Sequence, residues 1–405
     1  MVMHTMSSSL RARSAHETLE LVKPLAKRLG ITRVTDTTWL DRVGIPVFAS
    51  IRPKALSGSL CVNAGKGCHP DEAKIGAYME AIEFAYAEYG RTELQAVPST
   101  PREMAGTFPS GVTFASLCPR YGHPLDPDGL MYAVDAHSVL DDHLVRIPSE
   151  LVFIPDSRND GQKPFGESSN GLSSGNSVLE ASVHGLYELM ERDVQSFDFL
   201  HDQSALVNLD NVPEGVEKLV CLIHGAGLQL VVRYTQNEFR LPYFQAFLTE
   251  QVPEMPVSIA TGTGFHCSKS IALVRAICEA AQSRLSHIHG GRDDIIRRVQ
   301  YFDKVGRDAE IKAINELRTK AFSSAAAINY SEIFEPSTPR TLDDAWTHAL
   351  SALERVDVRA IFRVTFTNPS DQLQVVRILA PGLESFDPNL KRLGPRLASY
   401  AQKHL

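Results

Sequence analysis

The stretch GLSSGNSVLEASVHGLYELMERD, residues 171–193, decides the fold, because it joins a glycine- and serine-rich segment to a helix that carries several carboxylates. Glu188 and Glu191 are three residues apart, which places both side chains on one helix face. Glu180 lies eight residues before Glu188, which corresponds to about 80° of rotation around the helix. Its side chain can therefore lie at the edge of the same face. Arg192 follows directly. The stretch predicts a mobile loop that leads into a helix with one acidic face.

Two other stretches repeat this arrangement, and each again joins glycines to an alanine-rich helix. Residues 64–84 read AGKGCHPDEAKIGAYMEAIEF, with Glu80 and Glu83, and residues 262–284 read GTGFHCSKSIALVRAICEAAQSR, with Glu279, Gln282 and Arg284. The spacing from Gly67 to Glu80 equals the spacing from Gly175 to Glu188. Because the copies are too few and too divergent for a solenoid, we interpret them as parts of one site.

The residue types in these stretches favour magnesium and phosphate. Carboxylates on one face repel each other unless a cation or a proton lies between them. Magnesium is the hard cation that prefers such oxygens, together with water and phosphate oxygens. Arg192 and Arg284 provide guanidinium groups suited to phosphate. Glycine-rich loops before helices let backbone N–H groups approach phosphates. The three stretches together therefore predict one shared magnesium–nucleotide site.

The competing interpretation is that each Glu-x-x-Glu pair marks an ordinary solvated helix face. The neighbouring residues argue against it, because Ala81 and Ile82 flank the first pair, and Leu189 and Met190 flank the second. Carboxylates among apolar neighbours need a partner. Lys66, in a glycine-rich segment, is either a phosphate contact or a solvated turn residue.

The remainder of the chain alternates irregularly between helical and strand patterns, which predicts a mixed α/β or α+β architecture. Helices are predicted over residues 15–30, the first part of 216–236, 305–319, 341–357 and the C-terminus. Strands are predicted within 31–51, 144–156 (as a pair), the second part of 216–236, 243–249, 359–366 and 374–380. Residues 92–128 are predicted to be irregular, and residues 157–176 to form the mobile loop. The basic run from Arg292 to Arg298 is interrupted by Asp293 and Asp294, which predicts a solvated helix end.

Composition excludes several classes of protein. The 405 residues carry a formal net charge of −7, which gives no reason to expect nucleic acid. No apolar run reaches the ~18 residues of a membrane span, and residues 1–14 lack the apolar core of a secretory signal. Six cysteines without a C-x-x-C pair argue against a zinc knuckle and favour the reducing cytoplasm. Cys267 is predicted to be a buried structural thiol, with a sulfur-handling role as the alternative.

Four motifs in this order resemble the YcaO superfamily. They are Gly65-Lys66-Gly67 with Glu80-x-x-Glu83, Asn176-x-x-x-Glu180 with Glu188-Leu-Met-Glu191-Arg192-Asp193, Glu279-x-x-Gln282-x-Arg284, and Ala380-Pro381-Gly382-Leu383-Glu384. The resemblance covers residues 15–390, taken as a catalytic domain between a flexible tail (1–14) and a C-terminal helix or tail (391–405). In the tail, Arg11 or Arg13 is an alternative phosphate contact.

The resemblance implies an enzyme that uses ATP and Mg²⁺ to activate a peptide backbone amide. The fold it implies has mixed and antiparallel sheets flanked by helices, with an ATP site lined by the glutamate-bearing helices. The implied magnesium ligands or their supports are Glu80, Glu83, Glu180, Glu188, Glu191 and Glu279. The implied nucleotide contacts are Lys66, Ser173, Asn176, Arg192, Gln282 and Arg284. The implied catalytic residues are Glu191, Arg192 and Glu279.

The expected reaction needs no protein nucleophile, since phosphorylation of the amide oxygen creates the leaving group. The chain ends without a proline-rich tail and has no fused substrate-binding domain. Both features favour a branch that works with a TfuA-like partner and converts a peptide or protein amide to a thioamide with a sulfide donor. The alternatives are an azoline-forming cyclodehydratase and a non-catalytic ATP-binding scaffold. The resemblance also implies a homodimer.

Overall fold

Strands and helices alternate along the chain in the computed structural model, which describes residues 4–5, 9–250, 257–324, 326–336 and 339–404. The described strands are β1 His4–Thr5, β2 Leu10–Arg11, β3 Arg33–Asp36, β4 Val47–Ile51, β5 Val62–Lys66, β6 Val97–Ser99, β7 Met131–Ser138, β8 His143–Pro148, β9 Leu172–Gly175, β10 Ala205–Asn208, β11 Gln229–Tyr234, β12 Tyr243–Thr249, β13 Ile259–Phe265, β14 Ala327–Asn329, β15 Phe362–Thr365 and β16 Gln374–Leu379. The described helices are α1 Ala15–Arg28, α2 Pro70–Ala87, α3 Pro101–Ala105, α4 Val178–Leu200, α5 Glu214–Gly225, α6 Lys269–His289, α7 Asp293–Val305, α8 Arg307–Phe322, α9 Leu342–Arg355 and α10 Pro395–His404.

The chain divides into two compact units. Unit 1 comprises Met1–Ala55, Leu60–Ala81 and Gln203–Arg340, and unit 2 comprises Leu56–Ser59, Ile82–Asp202 and Thr341–Leu405. The division falls within α2, so Glu80 belongs to unit 1 and Glu83 to unit 2.

Unit 1 contains a five-stranded sheet in the order β13-β12-β11-β10-β14 and a three-stranded sheet β3-β4-β5. The pairs are antiparallel except β10 with β14. Helix α6 packs on β12, β13 and β5. Its apolar side chains, including Leu273 and Ile277, lie in the unit 1 core with Val232 and Phe244. The sheet and the helix thus bury one apolar face each, as a layered α/β arrangement requires.

The glycines of residues 262–264 lie in strand β13, where they allow a close approach to α6. A Cβ atom at Gly262 would lie 2.2 Å from the backbone nitrogen of Ala280, and one at Gly264 would lie 2.0 Å from the carbonyl oxygen of Ala272. Residues two apart in a strand face the same side, so both glycines face the helix. The glycines serve strand-to-helix packing, whereas the sequence interpretation assigned them to a phosphate-binding loop.

Unit 2 contains an antiparallel sheet in the order β6-β7-β15-β16-β9, with β8 paired to β7. Helix α4 packs on β9 and β16 and also contacts α9. A Cβ atom at Gly185 of α4 would lie 2.6 Å from the hydroxyl of Ser173 in β9. The same packing therefore recurs in both units, since glycine again lets a helix lie directly against a strand.

The mixed α/β class with antiparallel and mixed sheets is confirmed. The helix predicted over 15–30 is α1, which begins at a Ser14–Glu17 capping box. The predicted strand over 243–249 is β12.

Three local predictions are wrong. Residues 144–156 supply a single strand, β8, and its hairpin partner β7 was missed. The predicted loop over 157–176 ends in β9. The predicted helix end near Arg292 is instead the start of α7. The local sequence patterns of these segments do not indicate the distant strands and helices against which they pack.

The flexible tail predicted over 1–14 falls partly outside the described residues, at 1–3 and 6–8. Among the described helices, none combines the length and the apolar character that a bilayer crossing requires.

Replacement of Gly264 by alanine tests the close packing. The added methyl group meets the Ala272 carbonyl at 2.0 Å, and overpacking of this kind costs about 1–3 kcal/mol or more. The matched control is Gly215→Ala in α5, where no atom lies within 4 Å of the added Cβ. There we expect no loss, or a gain of up to about 1 kcal/mol. Urea unfolding measures both, and equal stabilities of the two variants would contradict the packing argument.

Candidate functional site

The first turn of α4 organises the acidic residues of unit 2. Ser177 is the N-cap residue, and its hydroxyl accepts a hydrogen bond from the backbone N–H of Glu180. The side-chain amide of Asn176 donates to the Glu180 carboxylate at 3.2 and 3.4 Å. Glu180 is almost fully buried. Since a buried carboxylate needs polar partners, the amide of Asn176 holds Glu180 in place.

About three turns further along α4, Arg192 lies beside both carboxylates of the predicted pair. Its guanidinium nitrogens lie 3.5 Å from Glu191 and 4.0 Å from Glu188. Gln195 accepts a hydrogen bond from Arg192 and donates one to Glu191. Glu191 is 4% exposed, which fixes its carboxylate within the unit. The structure therefore brings Arg192 beside Glu188 and Glu191, the two carboxylates that the sequence placed on one helix face.

The carboxyl group of Glu188 is the most strongly perturbed of this group. Burial raises the pKa of Glu188 from the ordinary 4.5 to about 7. Arg192 opposes the rise, and the neighbouring Glu191 carboxylate adds to it. Two buried carboxylates this close together disfavour a double negative charge, and their oxygens have the donor chemistry that a hard divalent cation such as Mg²⁺ requires.

Arg377 is a cation of this group that the sequence interpretation missed. It lies in β16, almost fully buried, and donates to the backbone oxygens of Ser168, Asn170 and Val152. Burial lowers the pKa of Arg377 to about 10, while the carboxylate of Glu188 counteracts this change. The sequence does contain an indication of this role, because Arg377 stands within the otherwise apolar strand QVVRILA. A charged residue in a buried strand requires a polar partner.

The two serines of β9 face opposite sides, because side chains alternate along a strand. Ser174 donates a hydrogen bond to the carboxylate of Glu83. Ser173, the predicted nucleotide contact, is fully buried and donates to the carbonyl oxygen of Ala181 at 2.8 Å. Ser174 therefore lies beside the carboxylate of Glu83, whereas the hydrogen bond of Ser173 joins strand β9 to helix α4.

In unit 1, Lys66 and Glu279 form an ion pair of 2.6 Å. Both side chains are about a quarter exposed, at 25% and 28%, so solvent and small ions can reach the pair. Gln282, one turn along α6 from Glu279, donates to the carbonyl oxygen of Ala64 at 2.9 Å. These contacts join β5 to α6 and bring together the predicted residues Lys66, Glu279 and Gln282.

Glu80 completes the acidic group of unit 1. Its carboxylate accepts the backbone N–H of Ala64 at 2.8 Å. Burial raises the pKa of Glu80, and Arg292 is the largest opposing influence. Arg292, which the sequence interpretation assigned to a solvated helix end, forms hydrogen bonds of 2.7 and 2.6 Å with Asp294. These bonds, and the fields of Glu80 and Glu279, raise the pKa of Arg292.

Arg284, a predicted nucleotide contact, is held in a buried ion-pair cluster. It lies 2.8 Å from the carboxylate of Asp41 and 2.6 Å from that of Glu250, and it donates to the Val257 carbonyl oxygen at 2.7 Å. Its side chain is only 3% exposed. Its guanidinium group therefore anchors α6 in unit 1.

The third glycine-rich stretch also contains a buried histidine, His266. Burial lowers the pKa of His266 from 6.5 to about 3, so its imidazole is neutral at physiological pH. Its Nδ1 accepts the backbone N–H of Ser268 at 3.0 Å. A neutral, bonded imidazole caps the start of α6 and adds no positive charge for a phosphate.

In the conformation described, the carboxylates are neutralised by protein groups. Across the described ranges, no group of three or more His, Cys, Asp and Glu side chains is arranged to hold a metal ion. Binding of Mg²⁺ would therefore require side-chain shifts that exchange contacts with Lys66 or Arg192 for contacts with the ion. The oxygen donors present fit that ion.

Each unit thus brings glutamate and basic side chains together on a helix that packs against a strand, and a family model assigns the class of protein. The model for the YcaO cyclodehydratase, ATP- and Mg²⁺-binding, matches residues 64–384. The chain therefore belongs to the YcaO family and is an ATP-dependent enzyme with ATP and Mg²⁺ as cofactors.

Relatives match over nearly the whole chain. An uncharacterized protein of Methanothermobacter thermautotrophicus is 29% identical over 95% of this chain and 97% of its own length. An uncharacterized protein from the tfuA 3′ region of Rhizobium leguminosarum bv. trifolii is 31% identical over 92% of this chain and 88% of its own.

Solved structures show the same fold. The YcaO from Methanopyrus kandleri, solved with AMPPCP and Mg²⁺, has a TM-score of 0.73 and 21% identity, covering 97% of this chain and 98% of its own. A heterocyclase in complex with substrate and cofactor has a TM-score of 0.74 and 18% identity, covering 96% of this chain and 54% of its own.

The two serines of β9 give a paired test. Ser174→Ala removes the hydrogen bond to Glu83, so we expect the Mg²⁺ concentration needed for half-maximal ATP hydrolysis to rise several-fold. Ser173→Ala removes a strand-to-helix bond, so we expect a loss of about 1 kcal/mol in unfolding free energy with the Mg²⁺ dependence unchanged. Magnesium titrations and urea unfolding of both variants separate the roles. The same Mg²⁺ response in both would contradict the assignment.

His266 predicts a pH dependence of stability. Because its folded pKa of about 3 lies below its ordinary 6.5, the unfolded chain binds a proton first as the pH falls. The stabilising contribution is present above pH 6.5 and is lost towards pH 3, by about 2 kcal/mol at pH 5. His266→Asn keeps an acceptor for Ser268 and should lack this loss. Unfolding free energies at pH 8 and pH 5 measure it, and a parallel decline in both proteins would refute the prediction.

Proposed function

We propose that this enzyme uses ATP and Mg²⁺ to phosphorylate a peptide backbone amide on oxygen and then replaces that oxygen with sulfur, giving a thioamide. The observation that carries the proposal is the acidic face of α4. There, Glu188 and Glu191 share one arginine, Arg192, and the pKa of Glu188 is raised to about 7 by burial. Two close, buried carboxylates within a YcaO domain supply the oxygen donors that a bound Mg²⁺ ion prefers.

In unit 2 we assign magnesium coordination to the carboxylates of Glu83, Glu180, Glu188 and Glu191. Asn176 positions Glu180, and Ser174 positions Glu83, through the hydrogen bonds already described. Arg192 would contact phosphate oxygens, because its guanidinium fork already faces the carboxylates that would hold the ion. Ser173 supports these residues indirectly, because its hydrogen bond joins strand β9 to helix α4.

In unit 1 we assign magnesium coordination or its support to Glu80 and Glu279, and nucleotide contacts to Lys66 and Gln282. Lys66 can move from the partly exposed Glu279 carboxylate to a phosphate oxygen without leaving a fully buried charge unpaired. Arg284 acts indirectly by anchoring α6 through its ion pairs with Asp41 and Glu250. We propose Glu191, Arg192 and Glu279 as the catalytic residues.

The chemistry needs positioning and charge neutralisation rather than a protein nucleophile. The amide oxygen must lie in line with the terminal phosphate, and the charge that develops there must be balanced. Magnesium, when bound, supplies positive charge to the phosphate oxygens. The carboxylates of this chain would hold the ion in position. The guanidinium group of Arg192 would add a second positive charge near the phosphate oxygens.

The choice of a thioamide rests on one relative. The Rhizobium protein lies in the tfuA 3′ region and is 31% identical over 92% of this chain, so we propose a TfuA-like partner and a sulfide donor. The alternative product, an azoline, is favoured by the likeness to a heterocyclase in complex with substrate. A non-catalytic scaffold is the remaining alternative function. We further propose a homodimer located in the cytoplasm.

Mass spectrometry separates the products. Extract from a strain that lacks the gene supplies untreated substrate and partner, and it is incubated with purified enzyme, ATP, MgCl₂ and sodium sulfide. We expect a peptide whose mass rises by the exchange of one oxygen for one sulfur. A peptide lighter by one water would establish the azoline reaction instead. No mass change and no substrate-dependent phosphate release would support the scaffold.

Glu191→Gln keeps the size of the side chain and removes its charge. In the same assay we expect phosphate release to fall about 100-fold or more, since one group that stabilises developing charge is lost. The control is Glu316→Gln, because Glu316 is 68% exposed and pairs with Lys312 at 3.9 Å on the surface of α8. Full activity in Glu191→Gln would remove the α4 pair from the site.

A further inference from the structure

Beside helix α4, unit 2 contains a cavity of about 50 Å³. Leu189 of α4 lines it, together with the segment before β9 and the residues that follow β16. The segment before β9 packs closely on the helix, since a Cβ atom at Gly171 would lie 3.3 Å from the Cδ2 atom of Leu189. Leu189 directly follows Glu188, to which we assign magnesium coordination. The cavity therefore adjoins the proposed magnesium site.

Arg377 links the wall of this cavity to Glu188. The wall includes Ser168 and Asn170. The backbone oxygens of these two residues accept hydrogen bonds from the Arg377 guanidinium at 2.9 and 3.0 Å. The same guanidinium acts electrostatically on the carboxylate of Glu188. One buried cation therefore supports both the cavity wall and a carboxylate of the proposed site.

The cavity has an apolar interior and a polar entrance. Its buried lining includes Leu117, Leu151 and Leu383. The partly exposed residues Asn170 and Ser385 form the entrance, where the Asn170 side-chain amide donates to the Ser385 hydroxyl at 2.8 Å. The side-chain oxygen of Asn170 can accept an N–H group from a bound molecule. An apolar group can therefore enter the cavity while a neighbouring amide is bound at the entrance.

The volume limits what can enter. Since a water-sized group needs at least about 10–15 Å³, a cavity of about 50 Å³ holds about three to five non-hydrogen atoms. The side chains of valine and leucine have this size. A purine ring is larger, and so is the side chain of tryptophan. The cavity therefore fits a medium-sized aliphatic side chain and does not fit the base of a nucleotide.

Among the described residues that line the cavity, Glu384 and Arg392 are charged, and both bind backbone groups of unit 2. Glu384 accepts the N–H groups of Gly394 and Leu397 at 2.7 and 2.9 Å. Arg392 donates to the carbonyl oxygen of Cys118 at 2.9 Å. Because these groups are already engaged, a charged side chain would lose hydration without gaining an ion-pair partner. A neutral side chain is the better occupant.

We propose that the cavity binds one valine- or leucine-sized side chain of the substrate peptide, and that Asn170 accepts a backbone N–H of the same peptide. The inference rests on the proposed function for the substrate class, because an enzyme that activates a peptide amide must hold the peptide beside its magnesium site. The cavity thereby determines specificity, since it selects peptides with an aliphatic residue close to the activated amide.

The experiment uses N-acetyl amino acid N-methylamides, each of which presents one side chain between two peptide amides. The glycine, alanine, valine, aspartate and tryptophan probes are titrated into full-length protein with MgCl₂, with and without AMPPCP, and saturation-transfer NMR measures their dissociation constants. We expect the valine probe to bind about 10-fold more tightly than the glycine probe, and also more tightly than the aspartate and tryptophan probes. AMPPCP should not displace the valine probe.

Three variants locate the binding. Ala380→Val adds bulk to the cavity wall, so the preference should move from the valine probe to the alanine probe. Ser385→Leu narrows the entrance, so the valine and glycine probes should bind equally weakly. The matched control is Ser351→Leu, because Ser351 is exposed on α9, and the valine preference should persist in this variant. Circular dichroism confirms that each variant is folded.

Equal binding of the glycine and valine probes by wild-type protein would overturn the proposal. A valine preference that survives in both Ala380→Val and Ser385→Leu, or displacement of the valine probe by AMPPCP, would do the same. The probes require neither ATP hydrolysis nor a product, so the proposed function fails separately. A valine preference in an enzyme that yields an azoline leaves the cavity assignment intact and refutes the thioamide. A thioamide product without a side-chain preference refutes only the cavity assignment.

Discussion

The close contact between glycine-bearing strands and acidic helices is the constraint on which the rest of the structure depends. A Cβ atom at Gly65 would lie 2.1 Å from backbone atoms of Ala73 and Ala77, and one at Gly264 would lie 2.0 Å from the Ala272 carbonyl oxygen. Such distances leave no room for a side chain, so each strand fixes both the depth and the rotation of its helix. The helix rotation in turn determines where the carboxylates point.

This packing explains why buried acids and buried bases occur together. A helix pressed against a strand removes its acidic face from water, and the cost of burying a carboxylate must be offset by a nearby cation. In unit 2 the cations near Glu188 are Arg192 and Arg377. In unit 1 Arg292 and Lys66 act on Glu80. The partly exposed members, Lys66 and Arg192, can exchange partners most readily, which suits them to phosphate.

The sequence alone was sufficient for the long periodic elements and for the acidic pairs, because both depend on spacing within one helix. It was insufficient where the answer depends on a tertiary neighbour. The interpretation of residues 172–175 as a loop missed the alternation of strand β9, which places Ser174 beside Glu83 and directs Ser173 towards α4. Arg292 was assigned to solvent because its partner Glu80 lies far away in sequence. Arg284 has the spacing of a phosphate contact, yet Asp41 and Glu250 bind it.

The recurring strand–helix unit also explains the position of the thiols. Cys68 and Cys267 each lie two residues after the end of a strand, β5 or β13, and two residues before the start of the following helix. Their environments differ, since Cys68 is partly exposed and Cys267 is fully buried beside His266. The sequence interpretation considered sulfur handling at Cys267 because only local features were visible there. The burial of Cys267 agrees with the structural role that the sequence predicted for it, so the same position between a strand and a helix gives the two thiols different environments.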